Sequence, residues 1–363
     1  MITYLQKLIS DSPNKMISYA DFISEVLYHP FYGYYMKENQ KIGRQGDFIT
    51  TSNVSDLYGQ IMAKWLWSVF HKLDMMPAIC EIGAGNGRFA HAFLQEWSQL
   101  SNAPIRYLIV ETSPYHRKLQ RQLLEGFPSI TQIDSLIEVE RFEGIIFSNE
   151  LFDALPVHVI EKENGKLVEI MVGYEKDRLI EYKVPLTNAA IYTFLQQTKL
   201  ELSEHQRIEI PLAMDTILQQ ISAILTKGLV ISADYGYTNE EWMDPRRKKG
   251  SLRGYSQHKM VDNVLEHPGD IDITTHVHFD YLIEKGNQLN LRYVSKLRQD
   301  EFLIKAGILK ELEESYDPNP FSTAAKRNRS IRSLILPGGI SSYFHMIIQQ
   351  KGIQFDEAAL FRD

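Results

Sequence analysis

The chain has 363 residues, enough for two domains or for one large domain with insertions. Hydrophobic residues make up 44% and charged residues 23%, which is ordinary for a globular protein and excludes collagen-like, disordered and disulfide-scaffold classes. Its 39 Lys and Arg residues against 46 Asp and Glu residues give a formal net charge of -7, so nucleic acid is not expected as a main ligand.

A single cysteine, Cys80, cannot form an internal disulfide, and no Cys/His cluster has the spacing of a structural metal site. No stretch reaches the roughly 18 apolar residues of a membrane span. Residues 1–14 have neither the apolar core of a signal peptide nor the Arg-rich character of a transit peptide. Together these features predict a cytoplasmic protein that has no metal site and does not span a membrane.

The first 75 residues are predicted to form a helical cap. Ser18 stands where the N-cap of one helix is expected, and Ser55 stands where a second helix begins. The second helix carries Trp65 and Trp67 among apolar residues, which indicates core packing. A polar loop at residues 46–52 separates the two helices.

From Pro77 onwards, short apolar runs alternate with turns and helical periods, a pattern typical of a parallel α/β sheet. The predicted strands are Ala78–Ile82, Arg106–Val110, Ile130–Ile133, 144–147 and 229–233. Two later runs, residues 331–336 and 343–348, are joined through Pro337 and two glycines and are predicted to form a hairpin that closes the sheet. The sequence therefore predicts a sheet of seven strands.

Two long insertions interrupt this pattern after the fourth and fifth strands. The first begins as a small β meander, and the second begins with a polar loop at residues 246–255 and continues as amphipathic helices. We expect them to form a second lobe over the carboxyl ends of the strands, where ligands bind in open α/β sheets. The predicted domains are a helical cap at 1–75, a core at 76–156, 227–236 and 329–363, and an inserted lobe at 157–226 and 237–328.

Three alternate glycines, Gly83, Gly85 and Gly87, follow the first strand of the sheet. They let the backbone turn sharply and approach a ligand, with the N-terminus of a helix behind them. The dinucleotide-binding motif requires its third glycine where Arg88 stands, which disfavours NAD without excluding it. Glu81, two residues before the first glycine, instead suits a ligand that carries an ammonium and a sulfonium, such as S-adenosylmethionine (SAM). The alternative is a tight strand-to-helix turn with solvated acids.

Two further acids extend this candidate cofactor site. Glu111 ends the next strand, where a carboxylate can accept hydrogen bonds from both ribose hydroxyls. Asp134 follows the third strand and is a candidate for binding the adenine amino group. A helix N-cap or a turn is the alternative role for Asp134.

An amide and two acids, Asn149, Glu150 and Asp153, follow the fourth strand and are the candidate catalytic residues. Methyl transfer from a sulfonium is an in-line displacement that needs orientation and, for a nitrogen acceptor, a group that receives a proton. Two carboxylates three positions apart can bind the N–H fork of a guanidinium, which stays charged at physiological pH. The alternative is that Asn149 and Asp153 cap a short helix while Glu150 is solvated.

Other features are less specific. Asp234 ends the fifth strand and is placed to hold a substrate, although turns also use Asp. The second insertion contains three histidines that are candidate general bases, with a surface or core role as the alternative: His258, His276 and His278. Residues 246–249 are a solvated basic loop or a contact for an acidic protein partner.

Six ordered blocks of the chain resemble, over nearly its whole length, the MidA family of SAM-dependent methyltransferases, which includes the mitochondrial complex I assembly factor. The blocks are 27–30 with 33–35, 46–50, 81–87, 149–156, 250–255 and 272–277. The resemblance implies a class I methyltransferase fold: a Rossmann-like seven-stranded sheet with an antiparallel last strand, a helical N-terminal cap and an inserted lobe. It implies SAM as cofactor, an arginine of a protein partner as acceptor, and Asp47 and Thr50 as further cofactor-binding residues.

The chain departs from the family in two places. Relatives continue the block at 46–50 with Ser-Pro-Glu-Ile-Ser, whereas residues 51–55 here lack the proline and the glutamate, and Asn53 cannot replace that glutamate by charge. A mitochondrial presequence is also not seen, which favours a cytoplasmic bacterial homologue over the matrix protein of a eukaryote. Two other functions stay open: methylation of a small molecule or another side chain, and SAM binding in an assembly factor without catalysis.

Overall fold

The computed structural model describes residues 1–38, 56–127, 129–257, 259–312, 319, 321–336 and 338–362. The α-helices are α1 (Ile2–Asp11), α2 (Tyr19–Tyr28), α3 (Leu57–Leu73), α4 (Arg88–Leu100), α5 (Pro114–Leu123), α6 (Ala189–Thr198), α7 (Leu212–Ile224), α8 (Asn239–Trp242), α9 (Phe279–Gln288), α10 (Gln299–Lys305), α11 (Thr323–Ile335) and α12 (Glu357–Phe361). The strands are β1 (Met16–Ser18), β2 (Ala78–Ile82), β3 (Arg106–Val110), β4 (Ile130–Ile133), β5 (Phe142–Asn149), β6 (His158–Glu163), β7 (Lys166–Glu175), β8 (Arg178–Pro185), β9 (Arg207–Ile210), β10 (Leu225–Tyr237), β11 (Arg253–Ser256), β12 (Lys259–Val261), β13 (Asp272–Thr274), β14 (Val277–His278), β15 (Arg292–Arg298) and β16 (Phe344–Lys351).

The larger sheet has the strand order β15-β16-β10-β5-β2-β3-β4, and the short β14 pairs with the end of β10. The five strands from β10 to β4 in that order run parallel. The last strand, β16, runs antiparallel to both of its neighbours. The predicted α/β class and the antiparallel last strand are confirmed; the main path of the sheet has seven strands, the predicted number, and β14 is an eighth.

The central strands lie where the apolar runs predicted them. All five residues of β2 are buried, as are four of the five in β3. Helices cover both faces of the sheet, so buried parallel strands form continuous apolar runs instead of alternating ones. The runs at 144–147 and 229–233 lie within β5 and β10, which extend beyond them at both ends.

The predicted hairpin between residues 331–336 and 343–348 is wrong. Residues 331–335 belong to α11, whose N-cap Ser322 accepts a hydrogen bond from the backbone of Ala325. Its buried residues, Ile331 and Leu334, are three positions apart, and a short apolar run does not by itself distinguish a helix face from a strand. The partner of β16 is instead β15, an edge strand whose largely polar residues give a weak strand signal.

The predicted helices near the N-terminus are present. Ser18 caps α2 through a capping box with Asp21, in which each side chain bonds the other residue's backbone N–H. The second predicted helix is α3, although Ser55, its predicted start, lies outside the described residues. Trp65 on α3 is buried and its ring packs against Phe302. The prediction that Trp65 belongs to the core is confirmed.

Helices pack on both faces of the large sheet. On one face α3 and α4 pack with α10 and α11, around side chains such as Phe70, Phe93 and Phe302. On the other face α7 and α9 contribute Leu218 and Leu282. The loops after the parallel strands all lie at one edge of the sheet, where open α/β sheets bind ligands. Among the helices described, none combines the length and the apolar composition that crossing a membrane requires.

A second sheet has the order β1-β7-β6-β9, with β8 paired to β7, and it contains the predicted β meander. Both α1 and α2 pack on this sheet, through contacts that join Leu5 and Phe22 to Val159 and Val172. A third, three-stranded sheet has the order β12-β11-β13. The division into cap, core and lobe stays a prediction. Of the predicted cap, α1 and α2 contact strands of the predicted lobe, whereas α3 contacts the core.

One group of side chains in the described ranges, Glu161, Glu163 and His205, has the composition of a metal site. The Nζ atom of Lys183 lies 2.7 Å from Glu161 Oε1 and 2.8 Å from Glu163 Oε1. Both carboxylates are therefore already paired with a cation.

Candidate functional site

The glycine loop joins β2 to α4 and has left-handed backbone conformations at its three glycines. The φ angles of Gly83, Gly85 and Gly87 are 74°, 54° and 80°, a region that side-chain-bearing residues rarely adopt. The N–H of Gly85 donates to Glu111 Oε2 at 3.0 Å, and Gln120 Nε2 donates to the Gly85 carbonyl at 2.7 Å. The peptide unit of Gly85 is thus held by side chains on two neighbouring elements.

The structure brings Glu111 directly to this loop, as the sequence predicted. Its second oxygen accepts a hydrogen bond from the N–H of Ser113 at 2.9 Å, and the residue is buried. A carboxylate is a group that accepts hydrogen bonds from ribose hydroxyls. A Cβ on Gly87 would lie 3.0 Å from Gln120 Cγ, so a side chain at this position would require Gln120 to shift.

Glu81 lies buried in β2, where it accepts a hydrogen bond from the Tyr107 hydroxyl at 2.7 Å. Burial raises the pKa of Glu81 to about 7, against the hydrogen bond from Tyr107, which lowers it. A neighbouring cation favours the ionised form of a carboxylate. The acids and the glycine cradle therefore fit the ammonium and ribose ends of SAM.

The other candidate cofactor residues lie apart from this cluster. Asp134 is exposed, and its Oδ2 lies 3.4 Å from Arg117 Nη1. It caps no helix, because Ser135 is the N-cap of the short turn that follows. Asp47 and Thr50 lie outside the described residues.

The end of β5 and the loop that follows it, together residues 149–155, carry the candidate catalytic groups. Glu150 has a φ of 54°, a conformation uncommon outside glycine, and its N–H donates to the Ala233 carbonyl at 2.9 Å. Asn149 Nδ2 donates to Glu150 Oε1 at 3.0 Å. Burial, together with the nearby charge of Asp153, raises the pKa of Glu150 well above the ordinary carboxyl range.

The two oxygens of the buried Asp153 side chain have different surroundings. Oδ2 accepts hydrogen bonds from Thr274 Oγ1, at 2.8 Å, and from the Tyr235 hydroxyl. Oδ1 is buried without a hydrogen-bond partner in the described part of the chain, as is Oδ1 of Asn149. Burial raises the pKa of Asp153, while the two hydroxyl donors act in the opposite direction. No helix follows this loop in the structure, so neither residue is a helix cap.

Asp234 positions the loop; the expectation that it holds a substrate is not supported by its contacts. Its Oδ2 accepts from the backbone N–H groups of Phe152 and Asp153, at 3.0 and 3.3 Å. Its Oδ1 accepts from the N–H of Tyr235 at 2.9 Å. A buried carboxylate that accepts three backbone hydrogen bonds fixes the loop that carries Glu150.

Two tyrosines of the N-terminal segment join the cofactor side of the site to this loop. The Tyr28 hydroxyl donates to the Ala154 carbonyl at 2.8 Å, and the Tyr35 hydroxyl donates to Asp272 Oδ1 at 2.6 Å. The two rings stack with centroids 5.5 Å apart. Ser113 Oγ donates to the Tyr35 carbonyl at 2.7 Å, next to Glu111.

Sequence reasoning assigned no role to these tyrosines, to Tyr235 or to Thr274. A signal was available, since Tyr28, Tyr35 and Thr274 all lie in blocks that resemble the family. Their roles depend on contacts across three elements, which neither periodicity nor motif spacing indicates.

The two described candidate histidines are neutral side chains with structural contacts. His278 is buried, its Nε2 lies 2.7 Å from the Glu209 carbonyl, and burial lowers its pKa to about 3. Burial, with Arg253 and Arg247 nearby, also lowers the pKa of His276 to about 3. His258 lies outside the described residues. The proposed role of a general base is therefore not supported for His276 or His278.

The carboxylates of the loop have no counter-cation in the part of the chain that the structure describes. Within the described ranges, Glu150, Asp153 and Asp234 form no ion pair with a Lys, Arg or His side chain. Burial raises the pKa of all three, and Asp153 and Glu150 raise that of Asp234 further. A bound cation would offset the cost of burying these acids.

Known proteins that are similar to this chain carry the names of methyltransferases. A family model described as S-adenosyl-L-methionine-dependent methyltransferase matches residues 61–295. The protein arginine methyltransferase NDUFAF7, mitochondrial, of Danio rerio is 26% identical over 369 residues, covering 93% of this chain and 83% of that protein. The Homo sapiens protein of the same name is 28% identical, covering 84% of this chain and 72% of that protein.

A solved structure is similar to this chain over almost all of its length. It is a COG1565 superfamily member from Burkholderia thailandensis bound to S-adenosyl-homocysteine. The TM-score is 0.90 at 26% identity, and the match covers 99% of this chain and 94% of that one.

Proposed function

The chain belongs to the S-adenosyl-L-methionine-dependent methyltransferase family whose model spans residues 61–295, and we propose that the group it methylates is an arginine of a protein partner. Methyl transfer with SAM as cofactor follows from the family. The acceptor is the proposal, and one observation carries it. Glu150 and Asp153 are carboxylates with raised pKa values and no counter-cation among the described residues.

A guanidinium matches this arrangement. It is always charged and presents five N–H donors in a rigid fork, whereas a hydroxyl acceptor is neutral and a Lys ammonium is a point charge. Three groups can accept hydrogen bonds from the guanidinium N–H groups: Oδ1 of Asp153, the carboxylate of Glu150 and the carbonyl Oδ1 of Asn149. The two Oδ1 atoms have no hydrogen-bond partner within the described residues. The relatives named above as protein arginine methyltransferases support the same acceptor.

We assign the residues of the chain to two roles. On the cofactor side, the glycine loop and Glu111 bind the amino acid and ribose ends of SAM, and Glu81 faces its ammonium; Asp134, Asp47 and Thr50 stay weaker candidates. On the acceptor side, Glu150, Asp153 and Asn149 hold the guanidinium. SAM supplies the methyl group when it is bound. The acceptor nitrogen releases one proton, and Glu150, with its raised pKa, is the group that receives it.

The inserted segments are proposed to receive the protein partner. Interfaces of standard size use about 20–30 residues on each side, and residues 157–226 with 237–328 can supply that many. The relatives named above are mitochondrial proteins. They support a location in the mitochondrial matrix if this chain comes from a eukaryote. The cytoplasmic location expected from the sequence receives no support from them.

The test supplies purified protein and labelled SAM to cell extract and maps the labelled methyl groups by intact mass and peptide analysis. We expect the label on a protein band, as dimethylarginine after hydrolysis. Label found only on lysine, on a carboxylate or on a soluble metabolite would contradict the proposed acceptor. No transfer to any acceptor, with SAM binding intact, would favour the non-catalytic assembly factor.

The contact between Tyr235 and Asp153 predicts a pH effect. Tyr235→Phe removes a donor that favours the ionised carboxylate, so the already raised pKa of Asp153 should rise further. Because the neutral acid binds a guanidinium poorly, the acidic limb of the activity profile should move to higher pH. Activity near neutral pH should fall about tenfold, the effect of one lost hydrogen bond to a charged group.

Tyr237→Phe is the matched control for this measurement. Tyr237 lies at the end of the same strand, and its hydroxyl makes no recorded hydrogen bond in the described structure. Its pH profile should match that of the unmodified protein. A Tyr235→Phe profile with the same acidic limb would show that Asp153 does not act on the acceptor as an ionised group.

A further inference from the structure

A basic segment, residues 246–249, lies on the surface close to the acceptor side of the site. Its side chains are Arg246, Arg247, Lys248 and Lys249, and the nearest acid in sequence is Asp244. Asp244 pairs with both arginines. Lys248 and Lys249 are exposed and form no recorded ion pair among the described residues. The chain as a whole has a net charge of -7, so this segment is a local reversal of charge.

A stack of rings connects the basic segment to Asp153. The Arg247 guanidinium lies 4.1 Å from the centroid of the Tyr237 ring, and Tyr237 stacks on His276 with centroids 4.2 Å apart and an interplanar angle of 11°. His276 contacts Tyr235 edge to face at 5.1 Å. The Tyr235 hydroxyl then donates to Asp153.

The three ring residues of this stack, Tyr235, Tyr237 and His276, are each partly exposed. The stack therefore links Asp153 to the basic segment through partly exposed rings. From Arg247 to Asp153 it covers roughly 15–20 Å, a length that an extended peptide of about five residues spans.

Contacts to β9 and its neighbours fix the basic segment in place. The N–H of Arg207 donates to the Lys248 carbonyl at 2.8 Å. The buried Glu209 accepts from the N–H and the hydroxyl of Ser251, at 2.9 and 2.8 Å. Ser251 Oγ in turn accepts from the N–H of His276 at 2.9 Å. A positive charge held at a fixed distance from the acceptor site can select a partner by its charge.

We propose that residues 246–249 bind acidic side chains of the protein that presents the target arginine. The preferred acceptor then carries Asp or Glu residues about five positions from that arginine. The inference rests on the proposed arginine acceptor and adds to it a rule for which arginines are methylated. Lys248 and Lys249, whose charges have no recorded ion pair, carry most of the selectivity.

The experiment compares two synthetic peptides, each with a single arginine. About five positions from that arginine, one peptide has three Asp residues and the other has three Asn residues. The two peptides are otherwise identical. Binding is measured by fluorescence anisotropy, and methylation by kcat and KM. We expect the acidic peptide to bind roughly 3- to 10-fold more tightly and to have a correspondingly lower KM, with kcat within about twofold.

Two double variants with equal changes of charge separate the basic segment from general electrostatics. Lys248→Glu with Lys249→Glu should remove the preference for the acidic peptide and leave kcat with the Asn peptide unchanged. Lys7→Glu with Lys326→Glu changes two exposed lysines on other elements and should keep the preference. Equal thermal unfolding of both variants and the unmodified protein shows that they are folded.

The outcomes distinguish this inference from the proposed function. Equal binding and equal KM for the two methylated peptides would overturn the role of the basic segment and leave the arginine acceptor standing. A preference that survives the Lys248 and Lys249 changes would also overturn it. If neither peptide is methylated while another class of acceptor is, the proposed function fails and the inference fails with it.

Discussion

Replacing Gly85 with valine is expected to abolish SAM binding while the chain stays folded. Gly85 has a φ of 54°, where a β-branched side chain is strained, and its peptide is held by Glu111 and Gln120. These two contacts oppose a shift of the backbone, and on the proposed assignment the new side chain would take up space that the cofactor needs. We expect affinity to fall by about 100-fold or more, equivalent to roughly 3 kcal/mol. Isothermal calorimetry with SAM measures this directly.

Gly165→Val is the matched control for backbone strain. Gly165 has a φ of 74° in the turn between β6 and β7, and a Cβ there would meet nothing within 4 Å. The free energy of unfolding of the Gly165→Val protein should fall by about 1–2 kcal/mol, as much as that of the Gly85→Val protein. Its affinity for SAM should stay unchanged. Unchanged affinity in a folded Gly85→Val protein would exclude the glycine loop as the cofactor site.

Glu150→Gln is expected to reduce turnover by about 100-fold or more and to change SAM affinity by less than about twofold. Glutamine keeps the size of the side chain and loses its charge and its ability to receive a proton. Loss of one electrostatic group that acts on the reacting atoms has an effect of this order. An interaction made with the acceptor appears in turnover at saturating SAM, whereas one made with the cofactor appears in its affinity.

Glu143→Gln is the control, because Glu143 is exposed and lies near the opposite end of the same strand, β5. It should leave both turnover and SAM affinity unchanged. A Glu150→Gln protein whose affinity for SAM falls but which reaches full turnover at saturating SAM would place Glu150 on the cofactor side.

The central strands and the glycine loop were predictable from sequence because their signals are local. A fully buried parallel strand such as β2 is an uninterrupted apolar run, and the glycines follow it directly. The edge strand β15 was missed because one side of an edge strand is solvated, and its residues are mostly charged or polar. Residues 331–336 include four apolar side chains for a different reason, since α11 packs on the core through Ile331 and Leu334.

The sequence identified the candidate catalytic residues by the chemistry of their side chains. It did not predict the environment of those side chains in the fold. Motif spacing identified Glu150 and Asp153, and could not show that Asp153 has one bonded and one bare oxygen. Asp234 resembled a substrate ligand because it ends a strand, yet its carboxylate accepts backbone hydrogen bonds. Whether an acid is available to a ligand depends on the donors that the fold places around it, and these come from distant parts of the chain.

The hydroxyl contact of Tyr35 with Asp272 also affects the order in which the two halves of the site form and melt. These residues are 237 positions apart in the chain, whereas Gly85 and Glu111 are 26 apart. Closing the longer loop costs about 2 kcal/mol more chain entropy. Contacts of such high sequence separation are expected to form late in folding. Local unfolding that frees residues 272–274 should therefore remove acceptor binding while the cofactor loop is still intact.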